Sequence, residues 1–357
     1  MVDRRGFLAG LLASGLMPVC TWADVGTPSF LAAARLPDGE FVLCGIDASG
    51  VIRFRVPIPG RGHAAAAHPV RAEAIAFARR PGTFASIINC ANGQESARLT
   101  CPEGRHFYGH GAFSSDGTTL FTTENDYEAG QGRIGVWDAT QGYGRIDEFA
   151  SGGIGPHEIR LLRDSDVLVV ANGGIDTHPD TGRTKLNLAT MRPNLSYLDL
   201  SGTLLEQVEL SEDLHSNSIR HLDVLPGGLV AFGMQWQRDR ASSPALVGLH
   251  RRGEAVQLMR APLNVHREAF GYVGSIAFSG NGTMMAVTCP RGGNVQMFDV
   301  GTCEFTDSDK TKDASGITGF GDGFVVSSGT GQLCAIGEGA AMSVAHSLEW
   351  DNHLVRI

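Results

Sequence analysis

Short apolar runs recur along the chain, and a turn rich in glycine, proline or acid follows each one before the next begins. Pro37-Asp38-Gly39, Arg80-Pro81-Gly82, Ser115-Asp116-Gly117, Arg163-Asp164-Ser165, Leu225-Pro226-Gly227, Gly280-Asn281-Gly282 and Gly321-Asp322-Gly323 mark seven such units. Strand-like runs such as Val167 to Val170 and Phe324 to Val326 flank them, the grammar of antiparallel hairpins. Alternating runs ending in an aromatic or Leu and then Asp predict third strands: Ile134 to Asp138, Leu195 to Asp199 and Val295 to Asp299.

The repeat averages about 47 residues, the length of a four-stranded blade. One such sheet cannot bury both faces, whereas seven packed around an axis can, so the pattern predicts an all-β, seven-bladed β-propeller over residues 24–357. A pair of β-sandwiches also has short strands at regular spacing, but the period runs on without a linker. Residues 28 to 60 hold only three strands, and Trp350 to Ile357 resembles the inner-strand segment Pro156 to Leu161. The C-terminal strand is therefore expected to close the N-terminal blade.

Glycine, 47 of 357 residues, suits a fold made of turns and argues against a helical bundle. The formal charge of -9 disfavours nucleic acid and anionic lipid and suits a cation better. Arg4-Arg5, the apolar run Leu8 to Val19 and the small residues Thr21 and Ala23 read as a twin-arginine signal peptide over residues 1–23, cleaved after Ala23. A periplasmic protein without a membrane span is the expectation, since no apolar stretch is long enough for one. Cys20 lacks the preceding small residues of a lipobox. The six later cysteines could pair in an oxidising compartment, and with no CxxC they offer neither thioredoxin chemistry nor covalent haem.

Candidate chemistry lies at the starts of the inner strands. His63, His110 and His157 are 47 residues apart, and His353 holds the matching place in the closing strand. Inner strands converge on the axis, so four imidazoles are expected to share one space and to bind a metal, iron or copper, with a carboxylate such as Glu124 or Glu158. The alternative is that repeats share histidine for structural reasons, to hydrogen-bond neighbouring backbone. Loops between second and third strands should rim the same opening and bring Asn172, His178, Arg183 and Arg291 to it, with Tyr272 lining the channel. Arg183 or Arg291 would receive an anionic part of a ligand. Arg220 and Arg160 either join that rim or brace blades, and His215 and His221 stand lower because their register is ambiguous. No GxSxG, HExxH, P-loop or Rossmann fingerprint occurs.

Longer words then carry a family resemblance: Gly155 to Ile159, Ala171 to Ile175, Thr177 to Arg183, Leu186 to Leu188, Met191 to Pro193, Ser218 to Leu222, Gly271 to Ser275, Pro290 to Gly293 and Trp350 to His353. On these the whole mature chain resembles the domain of unknown function 1513 family of exported bacterial proteins. The resemblance implies a YVTN-like, quinoprotein-dehydrogenase-like propeller behind an export signal. It further implies periplasmic partners of imelysin and di-haem-peroxidase type, associated with iron acquisition, and no established activity. Three functions are thus open: metal binding or docking of a metal-handling partner, an oxidoreductase or lactonase-like hydrolase, or a protein-interaction scaffold.

Overall fold

A computed structural model describes residues 20–79, 83–182, 184–337 and 342–357. Its strands form seven antiparallel sheets around one axis, a seven-bladed β-propeller. Apart from short 3-10 turns, the one described helix is α1 (Leu263–Arg267). No described helix is long and apolar enough to cross a membrane. Residues 1–19, most of the expected signal peptide, lie outside the described residues; Trp22–Val25 forms a 3-10 turn whose Trp22 indole donates to His68 O at 2.8 Å.

Each blade buries both faces, and this explains the near-continuous apolar runs. In Val167–Asn172, Leu168 and Val170 pack into the seam toward the preceding blade with Phe121 and Ile134. Val169 and Ala171 point the other way, toward Phe232 and Met234. The twofold alternation of a strand thus feeds two cores instead of one core and solvent. Seven apolar clusters result, one in each seam between blades.

The ring closes as the sequence pattern predicts. Glu349–Trp350 and Val355–Arg356 both pair with Phe30–Arg35, so the last strand segments form the inner strand of the first blade. Trp350, 2% exposed, fills the seam with Phe30 and Val325. Asp351 then ties the closing strand to the next blade by accepting from Arg61 at 2.9 Å and Arg79 at 3.1 Å.

The seven turns do not all fall at the same place in their blades. Five of the seven turns join an inner strand to a second strand, but Pro37-Asp38-Gly39 joins a second to a third, because the C terminus supplies that blade's inner strand. In the next blade the inner turn is instead His68 to Ala72, shaped by His68 Nδ1 accepting from the Val70 and Arg71 amides. Arg80, Pro81 and Gly82 lie outside the described residues.

Cysteine offers the sheet volume, not crosslinks: among the described residues every thiol is free. Burial pushes Cys44, Cys90 and Cys289 up to about 12, which keeps them protonated.

Candidate metal centre

The inner strands of four blades break register where the histidines stand. His63-Ala64 faces a single residue of the paired strand, as does Tyr108-Gly109-His110, and His157 is an extra residue between Pro156 and Glu158. Arg220 is the extra residue beside His221. His353 falls in the gap between the two closing segments. A bulge turns its side chain out of the pleat, and here the bulges aim imidazoles at the axis.

Five rings meet there. His63 lies 4.9 Å from His110 and 4.8 Å from His353 between centroids; His110 lies 4.7 Å from His353. His157 approaches His110 at 5.2 Å and His221 at 4.9 Å, and His221 reaches His353 at 5.1 Å. Glycine makes the approach possible: Gly109 has φ +100°, and a Cβ there would sit 2.5 Å from His63 Cδ2.

The cluster is buried and under-satisfied. His63 is partly exposed, whereas His110, His157, His221 and His353 are buried. His63 Nδ1, His110 Nε2, His157 Nδ1 and His353 Nε2 have no hydrogen-bond partner, in a setting where buried polar atoms normally have one. His221 Nδ1 finds only Glu158 Oε2, at 3.5 Å. Burial, with mutual repulsion among the rings behind it, holds His63 and His353 well below the ordinary imidazole value; burial and Arg220 do the same to His157. His110 is lowered to about 4, burial outweighing the opposing pull of Glu158. These four rings are therefore neutral at pH 7 and present lone pairs.

Glu158 is the carboxylate of the site. Burial alone would raise it, but Arg160, His110 and His221 reverse this and hold it well below the usual carboxylate range. Arg160 binds its Oε1 through Nε and Nη2, both at 2.8 Å. Oε2 accepts from the Leu222 amide at 3.2 Å and lies 4.0 Å from His110 Nδ1. Two sets of ligand atoms each lie within 4.8 Å of one another: His63, His110 and His353, and Glu158, His221 and His353.

Other sequence candidates are placed differently. Glu124 is fully buried inside its blade, where Arg145 binds both oxygens at 2.7 and 2.9 Å. Asn172 is also internal, bonded to Ser151, Asn194 and Ser196. His178 caps the 3-10 turn Pro179–Thr181 in the long loop and packs against Tyr127. Tyr272 lies under Arg291, whose guanidinium carbon is 4.2 Å from the ring centroid. Arg220 donates to Ser218 Oγ at 2.8 Å. Lys185 is lowered by burial and by repulsion from Arg220 and Arg291, so this end of the channel gathers cations in an acidic protein. Arg183 lies outside the described residues. His221 is the residue that sequence reasoning ranked too low, since a one-residue bulge hides its register; its signal was the text Ser218-Ile219-Arg220-His221 at the start of an inner strand.

Fold and geometry define a seven-bladed propeller with a buried histidine cluster on its axis. Residues 56–357 match the family described as Protein of unknown function (DUF1513), and the chain belongs to that family. No curated protein matches the sequence. Among solved structures the chain is similar to Kuenenia stuttgartiensis hydrazine synthase, with TM-score 0.65 and 14% identity over 92% of this chain and 99% of that one. At that identity the likeness is one of fold.

Proposed function

We propose that this protein binds a single transition-metal ion, iron or copper, on the propeller axis, with His63, His110 and His353 as ligands. The observation that carries this is the set of unpartnered buried nitrogens: neutral imidazole without a proton partner is a metal ligand in waiting. Glu158, reaching toward His110 Nδ1 while braced by Arg160, is the kind of outer carboxylate that orients a ligating histidine. Three imidazoles would leave a coordination position open, and the neighbouring cations Lys185, Arg220 and Arg291 would favour an anionic chelate there.

Export through the twin-arginine pathway to the periplasm belongs to the same proposal, supported by Arg4-Arg5 and the apolar run after them. So does delivery to or from imelysin-like and di-haem-peroxidase-like partners, which rests on the family resemblance. An open coordination position also leaves room for a redox or Lewis-acid enzyme. A hydrolase using carboxylates alone has less behind it, because Glu124 and Glu158 are both committed to arginines.

Elemental analysis of the full chain, purified without affinity-tag metals, tests the proposal against a His110→Ala, His353→Ala variant. Close to one iron or copper per chain, lost in the variant, is expected. Wild-type protein that carries none and takes up none when offered would end the metal reading.

A further inference from the structure

The cluster contains two triads with one member in common, and the two differ in chemistry. His63, His110 and His353 make an all-imidazole set whose His63 is partly exposed. Glu158, His221 and His353 make a set with one carboxylate, and Glu158 and His221 are each 2% exposed. One imidazole, His353, serves both sets, and its buried unpartnered atom is Nε2 alone.

We infer that these triads are two stations for one metal ion, which passes from the outer, all-imidazole station to the inner one by exchanging ligands around His353. The inference rests on the metal-binding reading of the cluster and adds to it where the ion goes.

Three physical points support it. Both stations use His353, so two ions at once would have to sit on one imidazole ring. Two divalent ions this close would repel with four times the energy of two single charges. The carboxylate available to offset that is already paired with Arg160. Finally, the carboxylate donor distinguishes the inner station from the all-imidazole outer one, and the partly exposed His63 gives the outer one the easier access.

The inner station also faces somewhere. Arg160 continues past Glu158 to line a cavity of about 250 Å³ at the opposite end of the inner strands, together with Asp223, Arg163 and Arg356. Arg160 is thus the boundary between the inner station and that cavity.

Cobalt(II) titration of the metal-free full chain tests this, with equilibrium dialysis for stoichiometry and the visible ligand-field spectrum for the donor set. Wild type should bind one ion. His63→Ala and His221→Ala should each still bind one, with different spectra, because each keeps one triad. His353→Ala should weaken binding at least 100-fold. Circular dichroism and thermal unfolding establish that each variant folds, and His110→Ala replaces His63→Ala if the latter does not. Two ions per wild-type chain would overturn exclusivity. Loss of binding in folded His63→Ala and His221→Ala alike would show one composite site and overturn the two stations, leaving the metal reading intact. No uptake by wild type would remove both.

Discussion

Two groups of histidines in this propeller share a residue type and almost nothing else. On the periphery, His250 bonds Tyr197 Oη at 2.7 Å and Glu254 O at 3.0 Å. His68 reaches Gly117 O at 3.1 Å, His266 reaches Pro244 O at 2.8 Å, and His346 reaches Gly50 O at 3.0 Å. Each reaches a backbone carbonyl of another segment or turn. On the axis, His63, His110, His157 and His353 are packed ring against ring, with a buried nitrogen on each left unpaired. The difference teaches that a histidine's role is read from what its nitrogens touch, not from its recurrence in a repeat. Unpaired buried polar atoms cost stability, and four of them gathered on one axis are what the proposed metal site rests on.

Metal affinity should separate the two groups most strongly. His353→Ala should reduce it at least about 100-fold, while His250→Ala should leave it unchanged, as measured by competition with a chelator of known affinity. Equal losses in both would erase the distinction.

Acid comes next. His110 titrates near 4 in the folded protein against an ordinary 6.5, so between those values the unfolded chain binds a proton that the folded one refuses. Stability of the metal-free protein should therefore fall as pH drops from about 6.5 to 4, by on the order of 3 kcal/mol from His110 alone. Denaturant midpoints across that range check the sign, and His110→Leu should flatten the slope. A slope unaffected by that substitution would place the titration elsewhere.

Removing a satisfied histidine should cost more than removing an unsatisfied one. His250→Ala strands the buried Tyr197 hydroxyl and should destabilise by about 2 kcal/mol. His157→Leu should fall within about 1 kcal/mol of neutral, since it replaces an unpaired buried nitrogen with apolar volume. Urea unfolding of metal-free protein compares the two, and a reversed order would count against the hydrogen-bond accounting.

The smallest effect separates the carboxylates. Glu124→Gln should weaken its pairing with Arg145 yet leave metal uptake within about twofold, because Glu124 lies inside its blade. A large drop in uptake would return Glu124 to the site.

The architecture was legible in the residues alone. Short apolar runs at a period of about 47 residues have one economical solution, a ring of sheets buried on both faces, and the terminal words Trp350 to Ile357 already matched an inner strand. The sequence also pointed to His63, His110, His157 and His353 as neighbours, because inner strands converge. Which polar residues stayed free depended on how the blades pack. Glu124 and Asn172 carry the right atoms, but Arg145 and a ring of serine and asparagine partners claim them. His221 entered the cluster because one bulged residue, Arg220, shifts the register of the strand after it. A strand reverses the direction of its side chains with every residue, so a single insertion invisible in the spacing changes which atom reaches the axis.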